Sequence, residues 1–374
     1  MAVDLLRVSA LVVAAWLTAA ALEPRTLAAE PDAAPALQAA LEEWAATAGH
    51  HGVSASVIFR DGSQWNGVAG RSDPDAPLAP DHLIQFGSIT KTMTAAVILQ
   101  LVDEGVLRLD DPLERWLPAR PHIDGAITLR QLLNHTNGLA NYTGTAALRT
   151  AIAADAAHVF TPDELLAFVG PPVAAPGTLT QYTNTSFLLL GLVAEHATGR
   201  SIVDLYRQRL WAPLDLQEIF MPGLEEPPRP VAHALSTAGI IDPLAQMSVL
   251  SIGHSAFGLL ASARDVARWG HALFTADVIS PEMQAAMREL VPAAGNIPGE
   301  SGAGLGIRSY GYFDRLQYGH SGGAAYGSSL LIHDPAAGVT VVVVMNQGQG
   351  AEHFELAPRL LQIAAPDAAP LPPM

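Results

Sequence analysis

The chain of 374 residues contains no cysteine. That excludes disulfides, thiolate metal sites, a cysteine nucleophile and a lipid-modified N-terminal cysteine. It is almost as poor in lysine: of its 20 basic residues, every one but Lys91 is an arginine. Positive charge is scarce altogether. A formal net charge of −16 argues against nucleic acid and anionic membrane surfaces as partners, and no basic patch interleaved with aromatics occurs. There is no H-E-x-x-H, and without cysteine the usual zinc patterns are missing, so neither a metal nor a cofactor is expected. Beyond residue 22 no stretch is long and apolar enough to span a membrane.

What is present begins with MAVDLLR and the uncharged run SALVVAAWLTAAAL, followed by small residues at TLAAE. Residues 1–29 read as a secretory signal peptide cleaved near Ala28 or Ala29, the apolar run being short for a spanning anchor. The expected location is therefore periplasmic or extracellular, with no stable membrane insertion after cleavage. An exported chain without disulfides must rest on its core, which this length permits. The Pro/Ala-rich stretches EPDAAPA (30–36) and PDAAPLPPM (366–374) read as flexible ends. Nothing in the sequence speaks to oligomeric state.

Between those ends, residues 36–48 carry apolar positions at helical spacing. VSASVIFRDGSQWNGVAG predicts two strands joined at Asp61-Gly62. From Ser88 the chain runs through TMTAAVILQLVDEG, apolar on most faces, which predicts a buried helix ending near Gly105. Residues 105–290 are helical pieces such as ITLRQLLNH, TPDELLAFV, SFLLLGLVAEHATG and SARDVARWGHALF, most of them opened by a capping residue. After Gly302 the pattern turns to strands, with GSSLLIH and VTVVVVMNQ joined by DPAAG, before a last helix in AEHFELAPRLLQIAA. The expected fold is α+β, with one antiparallel sheet built from both chain ends (about 36–87 and 302–365). Terminal helices flank it, and a mostly helical region (about 88–301) is inserted. A site at that junction would draw on distant parts of the sequence.

Three short constellations carry chemistry. Ser88 and Lys91 lie three residues apart on a predicted helix and so share a face. A serine hydroxyl is a poor nucleophile until a neighbour takes its proton. Lysine can do so if burial and a helix N-terminus disfavour its charge, whereas arginine stays protonated. A lone lysine is what such a task would leave behind, although chance would also leave one, and Ser88 alone also fits an N-cap. In PGTLTQYTNTSF, Tyr182 and Asn184 lie two apart in an extended segment before a helix predicted near Ser186, and so share a side. A tyrosine near cations can act as acid or base, and an asparagine amide can position a substrate carbonyl; Tyr-x-Asn is also common in surface loops. In YGHSGG, His320 would protonate, bind a substrate carboxylate or hold the Tyr182 hydroxyl. Gly322 and Gly323 would let backbone N–H groups approach a substrate. A glycine-rich hairpin with an incidental histidine reads the same way.

In this order, Ser-x-x-Lys, Tyr-x-Asn and a His-led glycine motif on a late strand resemble the penicillin-recognising serine hydrolases. These are the serine β-lactamases (class C among them), the D-alanyl-D-alanine carboxypeptidases and esterases of similar fold. The flanks LLNHTNGL, PGTLTQYTN and GLLASARDVARW agree, and the resemblance runs over roughly residues 40–350. It implies one hydrolase domain over 30–365, with Ser88 as acylated nucleophile and Lys91 as its proton partner. Tyr182 would be general base and leaving-group acid, and Asn184 would bind substrate. His320 would replace the third motif's lysine, with Ser321, Gly322 and Gly323 lining the substrate. The N–H groups of Ser88 and Gly323 would form the oxyanion hole.

Two departures qualify it. HSG stands where β-lactamases usually have KTG, which points away from efficient antibiotic hydrolysis, and Asn137 stands where the family often has serine, a change expected to affect only packing. The leading expectation is D-alanyl-D-alanine carboxypeptidase-like hydrolysis of a peptide or amide bond. A carboxylesterase, a β-lactamase and a non-catalytic peptide binder are the alternatives, and the substrate is a small molecule or peptide. GHSGG also fits a nucleophile elbow at Ser321, with Asp334 and His353 following, but strands rather than a helix are predicted after it. His50-His51 reads as a solvated turn.

Overall fold

A computed structural model describes residues 33–47, 52–73, 75–236, 239–275, 278–293, 297–348 and 351–366. The predicted signal peptide, His50-His51 and all but the first residue of the C-terminal tail lie outside these.

The strands in chain order are β1 (Val53–Ile58), β2 (Gln64–Ala69), β3 (Ile84–Gln85), β4 (Ile219–Phe220), β5 (Ala234–Ser236), β6 (Gly239–Ile241), β7 (Leu260–Ala261), β8 (Glu300–Ala303), β9 (Arg308–Tyr310), β10 (Gln317–Gly323), β11 (Ser328–Asp334) and β12 (Val339–Met345). Seven form one antiparallel sheet in the order β2-β1-β12-β11-β10-β9-β8. Strands from both ends of the chain thus meet where β1 pairs with β12, Val53 opposite Met345. The β1–β2 turn forms at the predicted Asp61-Gly62, where the Asp61 carboxylate accepts from Ser63 N at 2.9 Å. β3, β7 and β4 make a small separate sheet, and β5 pairs with β6.

VTVVVVM does not alternate because β12 is central and covered on both faces, and all seven of its residues are buried. Val341 and Val343 face the terminal helices Ala33–Thr47 and His353–Ala364, packing with Leu37, Leu41, Leu356 and Leu360. Val342 and Val344 face the inserted region, together with Leu331, Trp269 and Leu99. Each fully buried valine contributes about 1.5–3 kcal/mol of apolar transfer free energy. The last helix continues through Pro358.

The inserted region packs around the helix Thr90–Asp103, in which 11 of 14 residues are buried. A helix apolar on nearly every side can only be central. Around it the short helices begin at sequence-legible caps. Thr128 and Thr161 each close a capping box, with Gln131 and Glu164 respectively.

Candidate active site

Ser88 lies in a single 3-10 turn, Gly87–Ile89, just before the central helix begins at Thr90. Its hydroxyl does not cap that helix, for neither helix start has a side-chain cap bond. Instead it meets Lys91 Nζ at 3.1 Å, with the Tyr182 hydroxyl close by. Ser88 keeps 8% of its surface exposed while Lys91 has none.

The surroundings of Lys91 decide its chemistry. Nζ donates to Asn184 Oδ1 at 2.7 Å and to the Ala256 carbonyl at 2.8 Å. Both partners can only accept, so two N–H bonds are committed and the third direction, the longest contact, points at Ser88. A neutral amine in this cage turns its lone pair to the serine hydroxyl. Burial, and after it the charge of Arg308, holds the amine well below its ordinary value of 10.5. Phe187 and Phe257 complete the apolar wall, their ring centroids 5.5 and 5.9 Å from Nζ.

Asn184 is the first residue of the helix Asn184–Thr198, two residues before the predicted start. It therefore does not share an extended segment with Tyr182, yet the two converge on Lys91. Its Nδ2 donates to Thr143 Oγ1 at 3.2 Å and its backbone N–H to Asn141 Oδ1 at 3.3 Å. These bonds fix which end of the amide faces the lysine. The Tyr182 ring lies 4.7 Å from Lys91 Nζ and 4.7 Å from the Arg308 guanidinium carbon. Burial pushes the phenol pKa up, against the opposing pull of Arg308 and Ser88.

His320 lies within β10, not in a hairpin loop, with its ring centroid 6.1 Å from that of Tyr182. Its Nδ1 is 2.6 Å from the Ser321 carbonyl, which requires an N–H there. Burial, then the charges of Arg308 and Lys91, holds the imidazole well below 6.5. The ring is neutral, and its Nε2 is left an acceptor. β9 pairs with β10 only at Gln317–Gly319, so β9 leaves the edge of His320–Gly323 beside the Ser88 turn without a partner. Ser321 is buried and lies near Tyr310, whose hydroxyl has no hydrogen-bond partner among the described residues. As predicted, strands and not a helix follow Ser321, which itself lies within β10, and Asp334 is paired with Arg315 at 3.1 Å. Asn137 is buried and bonds Ser186 Oγ at 3.1 Å and the Gln131 carbonyl at 3.3 Å, a packing role.

Three members of this cluster were not singled out by sequence reasoning. Arg308 is buried over Tyr182 and paired with Glu300. The His135 ring is tilted against that of Tyr182, their centroids 4.5 Å apart, and His135 has φ of +62°. Burial, then Lys91 and Arg308, holds it well below 6.5. The flank LLNHTNGL was the one available signal for His135; Arg308 and Glu300 had none. Among the described residues no cluster of three or more His, Asp or Glu is placed to hold a metal ion, and no helix is long and apolar enough to cross a membrane.

Comparison with known proteins bears on this geometry. The chain is 32% identical over 358 residues to penicillin-binding protein 4 of Amycolatopsis lactamdurans, covering 86% of this chain and 91% of that one. Among solved structures, a D-stereospecific amidohydrolase from Streptomyces sp. superposes with a TM-score of 0.76 at 31% identity, over 87% of this chain and 98% of that one. A D-amino acid amidase from Ochrobactrum anthropi SV3 does so with a TM-score of 0.79 at 25% identity, over 89% and 98%. Residues 37–365 match the Beta-lactamase family, and the chain is a member of that family, a serine hydrolase of the β-lactamase fold.

Proposed function

We propose that this protein hydrolyses amide bonds of D-configured aminoacyl substrates through an acyl-enzyme on Ser88. The observation that carries the reading is the Lys91 cage. Two carbonyl acceptors hold Nζ so that its remaining valence meets the serine hydroxyl.

Lys91, held neutral, takes the Ser88 proton as Oγ bonds to the substrate carbonyl carbon. The oxyanion is received by the N–H groups of Ser88 and Gly323, each such donor typically contributing about 10²–10³ in rate. Tyr182, whose raised pKa keeps it a phenol at rest, gives its proton to the leaving nitrogen as the C–N bond breaks. The Lys91 ammonium then restores the phenol. Water attacks the ester as its proton passes through the Tyr182 hydroxyl to neutral Lys91. The Lys91 ammonium so formed protonates Ser88 Oγ as the ester C–O bond breaks, freeing the acid and Ser88. The family resemblance implied Lys91 as proton partner and Tyr182 as both general base and leaving-group acid; in this reading the base role falls to Lys91 and the acid role stays with Tyr182.

The D-configuration and the amide bond rest on the names of the two superposed hydrolases. Export through residues 1–29 belongs to the same proposal, supported by their apolar run alone. The test is hydrolysis of D-alanine p-nitroanilide against its L-enantiomer, beside Ser88→Ala. D-selective turnover lost in the variant supports the reading. Equal turnover of both enantiomers, or turnover surviving Ser88→Ala, refutes it; ester cleavage without amide cleavage would make the protein a carboxylesterase.

A further inference from the structure

Each group around Ser88 and Tyr182 that can carry positive charge is already committed. Lys91 spends its bonds on Asn184, Ala256 and Ser88. His320 donates from Nδ1 to the Ser321 carbonyl. His135 accepts at Nδ1 from Thr183 N–H at 3.4 Å, and burial disfavours its charge. The remaining cation is Arg308, and it is bound to Glu300.

That pair is unusual in its setting. The Glu300 side chain is fully buried and Arg308 keeps 7% of its side-chain surface. Neither carboxylate oxygen of Glu300 receives a hydrogen bond meeting ordinary geometry, so the guanidinium alone balances its charge. A buried carboxylate with so little support carries a large desolvation penalty. β8, which carries Glu300, is the edge strand of the sheet, and a register shift lies between Glu300 and Gly302. That irregularity re-aims the side chain. Arg308 also contacts Tyr182, the residue that would serve the leaving group, so the charge balance at this pair is felt on the leaving-group side.

We propose that Glu300 sets the charge preference of the site. By neutralising Arg308 it leaves no unpaired cation for a carboxylate on the leaving group, and so favours uncharged leaving groups over those with a free carboxylate. Simple amides are thereby preferred to a D-amino acid released from a peptide C-terminus. This rests on the Ser88 acyl-enzyme reading and narrows it.

The experiment compares kcat/KM for D-alanine amide and D-alanyl-D-alanine in the wild type, Glu300→Gln and the double variant Glu300→Gln/Arg308→Gln. The wild type is expected to prefer the amide. Glu300→Gln, which exposes an unpaired guanidinium, should shift the ratio toward the dipeptide by about tenfold or more, the scale of one charge-assisted hydrogen bond. The double variant, with both charges gone, should return the ratio toward that of the wild type. An unchanged ratio in folded Glu300→Gln, or a dipeptide preference in the double variant, overturns the proposal. Should Glu300→Gln not fold, the double variant and the wild type still decide, since a dipeptide preference in either one refutes it. If no D-alanine derivative is cleaved, the proposed function fails by itself. The charge preference is then read from acetate inhibition of p-nitrophenyl acetate hydrolysis, where Glu300→Gln should lower Ki about tenfold or more and an unchanged Ki refutes it.

Discussion

Gly87 and Gly323 touch through their backbones: a Cβ on Gly87 would stand 2.8 Å from the Gly323 amide nitrogen. Gly87 has φ of +60°, a conformation that costs other residues about 1–2 kcal/mol. The contact joins the Ser88 turn to β10, and with it the two proposed oxyanion donors. The neighbouring Gly322 is equally constrained, its Cβ position falling 2.0 Å from the Phe86 carbonyl.

Gly87→Ala should therefore separate the turn from the strand. The expected loss is about 10²-fold or more in kcat, the scale of one misplaced oxyanion donor, with destabilisation of about 1–3 kcal/mol. Steady-state kinetics and urea unfolding read the two effects. A variant with wild-type kcat would show that this contact does not align the donors.

Lys91→Arg tests the proton transfer. An arginine keeps positive charge at any working pH and brings a larger head into a cage sized for an amine. Acylation should fall by about 10²–10⁴-fold, the range of general-base contributions. Intact-mass detection of the acyl-enzyme after mixing with an activated D-alanine ester is the measurement. A folded Arg variant that acylates at the wild-type rate removes Lys91 from the mechanism.

Asn184→Asp should move the pH profile instead of abolishing activity. It places a carboxylate against Nζ where an amide oxygen now lies at 2.7 Å. The added negative charge favours the ammonium and raises the lowered pKa of Lys91. With the neutral amine as the proposed working form, activity present above that pKa is lost below it. The acid limb of kcat/KM should thus move to higher pH by about one unit or more, with activity returning at alkaline pH. An unmoved limb would mean that Lys91 does not titrate in that range.

How much of this was legible follows from what sets each position. Ser88 and Lys91 were readable because covalent spacing along one turn fixes their contact. The β1–β2 turn and the threonine caps were readable because local chemistry decides them. Asn184 was placed two residues short of its helix, because Thr183 and not a later residue supplies the cap. Arg308 and Glu300 were invisible: their meeting depends on the pairing of β8 with β9 and on a register shift that no local pattern announces. His135 depends on a positive φ that its residue type does not suggest. The two-residue strands β3, β4 and β7 carry too few residues for any period to show.

Stability should fall in mild acid, and histidines are the reason. Burial holds His254 and His353 at about 4 and His333 at about 3, whereas all three titrate near 6.5 when unfolded. Below pH 6.5 the unfolded chain binds protons that the folded one refuses, so stability is full above that pH and declines as pH falls toward those folded values. At pH 5 each group costs roughly 2 kcal/mol. Burial raises the pKa of Glu195, Asp265 and Glu300, and these work in the opposite direction and soften the decline. His254→Asn isolates one contribution, since asparagine tolerates the positive φ of +37° at that position and does not titrate. Urea unfolding at pH 7 and pH 5 should show a smaller drop in this variant than in the wild type, by roughly the 2 kcal/mol of one histidine. Equal drops would mean that His254 is protonated in the fold and that its burial is not the source of the acid sensitivity.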